Sequence, residues 1–218
     1  TEQLELDLPD HVIALAVDGV RVIFPDGTAK MLTEPGYVLE KHLFERWIME
    51  QAKEQGADVH LGHRVTKMER ERNSENQFSN WNLDGRGDAF PIRCRGVVDA
   101  SGVYGAASKI LDMPGEVEVI AGFQYELNDV ENDGYLDFYI QPEYAPHGYV
   151  WMIPKAGDRA NVGLVTTEKK GAKKYLDQFI EDTYLNGKPH VNPPWRKEGI
   201  KVRPFGGTIP ISGPRPST

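Results

Sequence analysis

The stretch Gly148-Tyr-Val-Trp-Met-Ile-Pro-Lys155, followed by Asn161-Val-Gly-Leu-Val-Thr-Thr167, sets the frame for reading the whole chain. Tyr149 and Trp151 alternate with Val150 and Met152, so a strand here turns both rings to one side of a sheet. Lys155-Ala-Gly-Asp158 separates the two runs and reads as the turn of an antiparallel pair. Two rings on one face make either a broad apolar wall for a ligand or the packing surface of an ordinary sheet.

Outward from this pair the texture stays antiparallel. Val117 to Leu127 and Tyr135 to Gln141 read as strands rich in aromatics. Phe138 and Tyr139 are neighbours, so at most one can join Tyr149 and Trp151; Tyr125 is a further candidate. Lys173 to Asn186 carries Tyr175, Leu176, Phe179, Ile180 and Tyr184 at helical spacing, with Gly187 as its cap.

Toward the N-terminus, residues 12–32 read as a meander of short strands with turns at Asp18-Gly19 and Pro25-Asp26-Gly27. A helix follows Pro35-Gly36, its stripe formed by Leu39, Leu43, Phe44, Trp47, Ile48 and Ala52, with Gly56 as its left-handed cap. Ala57 to Leu61 reads as a short strand. Val65 to Asp84 is polar, Asp84-Gly-Arg-Gly87 turns the chain, and Ala89 to Arg95 returns as a strand. Val97 to Ala100 reads as a buried strand running into the turn at Gly102.

Composition bounds the possibilities. At 218 residues, 39% hydrophobic and 27% charged, the chain can bury one substantial core or two small ones. A formal charge of −8 disfavours a nucleic-acid partner, whose phosphates need a basic face. No apolar run reaches the length of a membrane span, and Thr1 to Asp10 lacks the features of a signal peptide. Cys94, the single cysteine, excludes an internal disulfide and suits a reducing cytoplasm; its alternation with Ile92 marks a buried strand position. The start at Thr1 and the loop-like tail Gly213-Pro-Arg-Pro-Ser-Thr218 are what an excised fragment would show.

The sequence holds no phosphate-cradling glycine loop, no nucleophile elbow and no metal-ligand spacing. His60 and His63 lie close together without further ligands, and read as solvent-facing polar residues.

Four segments, taken in order, carry a resemblance. Gly36-Tyr-Val-Leu-Glu-Lys-His-Leu-Phe-Glu45 resembles the GYVLER-x-x-FD stretch of geranylgeranyl reductases. Val97-Val-Asp-Ala-Ser-Gly102, continuing to Ser108-Lys109, resembles a stretch shared across the aromatic-hydroxylase flavoproteins. Gly148 to Lys155, followed by Ala160-Asn-Val-Gly163, resembles the Y-x-W-x-x-P-K motif specific to geranylgeranyl reductases. Gly206-Gly-Thr-Ile-Pro210 resembles the segment those enzymes place before their second FAD motif.

The resemblance implies an α+β fold: an α/β remnant of an FAD-binding domain (residues 36–114) and an antiparallel-sheet substrate domain (1–35 and 115–205). Residues 206–218 would begin the return to the FAD domain. It implies an FAD-dependent reductase of carbon–carbon double bonds in geranylgeranyl chains of membrane lipid or chlorophyll precursors. NAD(P)H or ferredoxin would supply electrons, in a cytoplasmic enzyme with room for peripheral membrane contact. Lys41, where the family has arginine, would meet the FAD pyrophosphate or simply be a solvated helix-start residue. Val65 would offer its backbone to the adenine, or be an ordinary strand residue. Asp99, Ser101 and Gly102 would face the flavin, with Asp99 as a turn cap in the alternative.

Tyr149, Trp151, Pro154, Lys155, Tyr125, Phe138, Gly206 and Gly207 fall to the substrate side. No general acid stands out. Because the family's first glycine loop and later Gly-Asp motif are missing from the sequence, FAD binding by this chain alone is expected to be weak or absent. Two other readings stay open: a quinone-linked dehydrogenase or halogenase relative, and a non-catalytic lipid- or partner-binding domain.

Overall fold

The computed structural model describes residues 7–103, 105–113, 117–128, 130, 132–184 and 201–212. The predicted cap at Gly187 and the tail from Gly213 to Thr218 lie outside the described residues. The chain divides into two compact units, Thr1–Glu50 with Val119–Ile209 and Gln51–Glu118 with Pro210–Thr218. The first division falls after Glu50 rather than at Pro35, because β4 (Gly36–Leu39) pairs antiparallel with β1 (Ile13–Val17) and stays with the first unit.

The first unit is built on a seven-stranded sheet in the order β12-β8-β11-β10-β9-β2-β3. At its centre β10 (Tyr149–Lys155) and β11 (Arg159–Thr166) form the expected hairpin, with Trp151 opposite Gly163 and Tyr149 opposite Val165. β8 (Val119–Leu127) and β9 (Tyr135–Tyr139) flank it, and β12 (Lys201–Pro210) closes the edge beyond β8.

The predicted N-terminal meander is only half right. β2 (Gly19–Ile23) pairs antiparallel with β3 (Ala29–Leu32) across the expected Pro25-Asp26-Gly27 turn, but β1 leaves for a separate two-stranded sheet. Asp18-Gly19 is therefore a bend between sheets, not a hairpin turn. β2 instead runs parallel to β9, with Arg21 Nε donating to Asp137 Oδ1 at 2.7 Å.

One face of the large sheet lies under α3 (Ala172–Tyr184). Val150 and Met152 on β10, Val162 and Leu164 on β11, and Leu127 on β8 are fully buried with Leu176. Phe179 sits between two tyrosine rings, 5.2 Å from Tyr139 and 5.3 Å from Tyr144, at the offset and edge-on distances aromatic pairs favour. The opposite face is covered at one end by the small sheet, where Ala14, Val17 and Val38 pack with Ile153 and Leu136.

The second unit is a three-stranded ribbon, β5 (Arg64–Arg72), β6 (Phe78–Arg86) and β7 (Ile92–Cys94), with the short helix α2 (Ala106–Ile110). The polar stretch from Val65 to Asp84 is itself a hairpin, not foreseen from sequence, turning at Asn73 to Gln77, where Asn73 Oδ1 accepts the amides of Glu75 and Gln77. The turn read at Asp84 to Gly87 falls slightly later, between Arg86 and Ile92, ahead of the returning strand β7. Cys94 is in a strand as expected, opposite Trp81, but only half-buried.

Two predicted strands do not form. Ala57 to Leu61 and Val97 to Ala100 have no ladder partner among the described residues, and Val98 is 94% exposed. A hydrophobic run becomes a strand only where a neighbouring strand accepts its hydrogen bonds. Helix α1 (Lys41–Glu54) forms, and Gly56 caps it at φ +91°, yet none of its residues is buried. The amphipathic spacing was enough for the helix, while among the described residues its stripe is at most half-buried.

Truncating the central ring of the core, Phe179→Ala, is expected to cost about 3–5 kcal/mol in urea unfolding. A loss under about 1 kcal/mol would show that α3 does not carry the core.

Candidate functional site

Two regions stand out, one in each unit. In the first unit, the sheet face opposite α3 carries Tyr149, Trp151 and Phe138. The rings of Phe138 and Tyr149 meet edge-on at 5.6 Å, and those of Tyr149 and Trp151 lie 6.1 Å apart. Phe138 faces Trp151 across the β9–β10 ladder, while Tyr139 turns into the core.

Trp151 lies flat on the sheet because Gly163 leaves room for it. A Cβ at Gly163 would come 2.4 Å from Trp151 Cζ2, and the indole Nε1–H donates to Gln124 Oε1 at 3.2 Å. Neither Gln124 nor the need for glycine at 163 could be read from sequence, since both follow from strand register.

Four expected substrate residues fall elsewhere. Tyr125 does not extend the wall: β8 presents it to the core face, 4% exposed, with its hydroxyl donating to Asp177 on α3. Pro154 shares the parity of Val150 and Met152 and is buried on that same side. Lys155 is buried at the hairpin turn, where its Nζ donates to Glu40 Oε2 at 3.0 Å.

Gly206 and Gly207 lie on β12 beside β8, where a Cβ at Gly206 would meet the ring of Phe123 at 3.2 Å. Phe123 lies on the core face, so only Gly207 shares the parity of the wall.

Glu40 links two motifs that are far apart in sequence. Its other oxygen accepts from Arg159 Nη2 at 2.9 Å, and Arg159 also reaches Glu126 at 3.2 Å. Burial alone would raise the Glu40 carboxyl, but the hydrogen bonds and charges of Lys155 and Arg159 prevail and hold it below its ordinary value. Lys41, one residue on, is 83% exposed and pairs with Glu45 on the next turn of the helix.

In the second unit, a cleft of about 820 Å³ opens between β5, β6, the 97–101 segment and α2. Val65, Asp99 and Ser101 line it, as do Arg64, Arg86, Lys109 and His63. Arg64 and Arg86 are direct cross-strand neighbours, so the ribbon itself concentrates positive charge at the cleft. Among the described residues Asp99 is the single carboxylate in the lining.

The side chains of Asp99 and Ser101 cap α2: the Ala107 amide donates to Asp99 Oδ2 at 2.8 Å and the Ala106 amide to Ser101 Oγ at 2.6 Å. Gly102 follows at φ +87°, a conformation that favours glycine.

His63 is not the solvent-facing residue read from sequence. Its Nδ1 meets the Leu61 carbonyl at 2.9 Å, while Nε2 lies 2.8 Å from Asp88 Oδ1 and 3.2 Å from the Ala89 amide. These last two partners require opposite states: the carboxylate needs Nε2 protonated, the amide needs it bare. The Leu61 carbonyl and then Asp88 raise the His63 pKa above its ordinary value of 6.5.

Among proteins of known function, the geranylgeranyl reductase catalytic domain matches residues 118–192, the segment that holds the aromatic wall. A digeranylgeranylglycerophospholipid reductase of Methanoculleus marisnigri is 34% identical over 81% of this chain and 47% of its own length. Its namesake in Methanococcoides burtonii is 29% identical over 96% of the chain and 51% of that protein. Over most of its length the chain is similar to geranylgeranyl reductases, and residues 118–192 match their catalytic domain.

The chain spans about half the length of the curated relatives it matches. A solved structure from Thermoplasma acidophilum, described as geranylgeranyl bacteriochlorophyll reductase-like, superposes with a TM-score of 0.68 at 25% identity. The match covers 92% of this chain and 51% of that one. A flavin-dependent brominase shares the fold at TM-score 0.68 and 16% identity, over 92% of this chain and 53% of its own. At that identity the likeness concerns the fold alone. No helix among the described residues is long and apolar enough to cross a membrane.

Two outcomes are expected. Glu40→Ala strands the buried Lys155 ammonium and should cost about 3 kcal/mol at neutral pH. Because the folded pKa of Glu40 is depressed below 4.5, this contribution is complete above pH 4.5 and fades as pH falls through the lower value. Urea titrations of wild type and variant should therefore converge in acid; a gap independent of pH would contradict this.

His63 should titrate above 6.5 by NMR, and Asp88→Asn should move it back toward that value. Any stability tied to His63 is present below pH 6.5 and lost as pH rises through the raised value. An unmoved titration in the variant would remove Asp88 from the account.

Proposed function

We propose that this chain supplies the substrate wall and part of the flavin site of an enzyme that reduces carbon–carbon double bonds in geranylgeranyl chains of a glycerophospholipid. The observation that carries the reading is the open aromatic face of Tyr149, Trp151 and Phe138, set in the segment that matches the catalytic domain. An isolated alkene accepts hydride poorly, so the protein must hold the double bond in register and keep water away. A rigid aromatic face does both: the rings exclude water, and the Gln124 hydrogen bond and the Gly163 seat stop Trp151 from turning.

The residues of the second unit fit FAD in part. Arg64, Arg86 and Lys109 suit the pyrophosphate, and the cleft has the size of a nucleotide pocket. Strand β5 lies at the edge of its sheet, so the backbone at Val65 has a side open to the adenine. Asp99 and Ser101 act by framing the loop, since their oxygens already cap α2. Bound and reduced, FAD would supply the hydride; NAD(P)H or ferredoxin would restore it.

The test is the product of the complete reading frame, given reduced flavin and digeranylgeranylglycerophospholipid. A mass gain of two hydrogens per double bond is expected, and Trp151→Ala should lower turnover by about tenfold or more. No mass gain with flavin bound would refute the assignment.

A further inference from the structure

The aromatic wall does not end at Tyr149. On the same sheet face a second cleft, of about 660 Å³, opens where the ends of β8, β9 and β11 meet the loop 142–148. Its lining is apolar: Ile120, Ile140, Pro142, Ala145, Pro146 and Val165, with Tyr149 shared between cleft and wall. The remaining side chain in the lining is His147, exposed and held at φ +52°.

The loop that roofs the cleft is fastened on several sides. Thr166 Oγ1 donates to the Pro146 carbonyl at 2.8 Å, and the Gly148 amide donates to the Ala145 carbonyl at 3.0 Å. Tyr144 donates to Asp182 on α3 at 2.7 Å, with its ring against Phe179. Gly148 passes so close to β11 that a Cβ there would lie 1.8 Å from the Val165 carbonyl oxygen. The cleft is thus preformed, which removes the ordering cost of assembling it around a ligand.

We propose that this cleft receives the methyl-terminated end of the isoprenoid chain, so that the substrate lies tail-first along Trp151 and Tyr149 with its charged head group outside. Three observations carry it. The cleft is continuous with the wall through one shared ring. Its lining offers branched hydrocarbon to branched hydrocarbon and, among the described residues, no carboxylate, lysine or arginine to a head group. Its size falls in the range of pockets that engulf small ligands. The cleft would then set the register of the double bonds on the wall by how far the chain end can enter. This rests on the reading of the wall as a substrate surface.

The experiment uses this chain and a ladder of prenyl alcohols, geraniol, farnesol and geranylgeraniol, with binding followed by tryptophan fluorescence or calorimetry. In the wild type, affinity should rise with each isoprene unit. Ile120→Trp and, from the other side, Ile140→Trp fill the cleft, and each should erase about tenfold of the advantage of geranylgeraniol while leaving geraniol binding within about twofold. Retained geraniol binding shows that the variant is folded and its wall intact, and either variant suffices if the other fails to fold. Wild-type affinity that is independent of length, or filled variants that keep the full advantage of the longest alcohol, would overturn the tail-first cleft and leave the wall standing. No binding of any prenyl alcohol by the wild type would sink the wall and the cleft together.

Discussion

The pleat of β10 is the constraint on which the first unit depends. Val150, Met152 and Pro154 point to the face under α3, and Tyr149, Trp151 and Ile153 to the other. Burial decides which face is which: fully buried Val150 and Met152 pack with Leu176 and Phe179, and a one-residue slip would exchange core for surface along the whole strand. With that register set, its neighbours follow. Gly163 must oppose Trp151, Gln124 must lie beyond Gly163, and Phe138 must join the rings from β9. An aromatic wall is therefore a consequence of packing α3 on the other side.

A partly buried charge cluster, with Lys155 at its buried end, fastens this wall to the helix-start motif. Taking Glu40 and Lys155 out of water is costly, and a single ion pair in that setting often does no more than offset its own desolvation. Arg159 supplies a second donor to the same carboxylate, and the two cations together hold it ionised. The lysine of the Tyr-x-Trp motif thus acts here by anchoring the hairpin turn, and Arg159, outside the motif, shares that task.

The shared fold of reductases and a halogenating flavoenzyme separates scaffold from chemistry. In this chain the sheet under α3 and the ribbon are the scaffold, and they carry an aromatic face and a cationic cleft. The cationic cleft depends on strand pairing, since Arg64 and Arg86 become neighbours only when β5 folds against β6. The overall charge of −8 gave no hint of it.

Local chemistry alone determined much of this protein. The β10–β11 hairpin, the α1 and α3 helices, the glycine cap at Gly56 and the turn at Pro25-Asp26-Gly27 were all legible, because each depends on residues within a few positions of one another. The four ordered motifs were legible as a family pattern. Partners were not. β1 and β2 read as a hairpin and joined different sheets; among the described residues Val97 to Ala100, read as a buried strand, has no ladder, and the stripe of α1 is at most half-buried. Tyr125 and Phe138 looked equivalent until register put them on opposite faces. Alternation says that two residues share a side, whereas only the packed sheet, through the area each side buries, decides which side faces the core and which is left for a ligand.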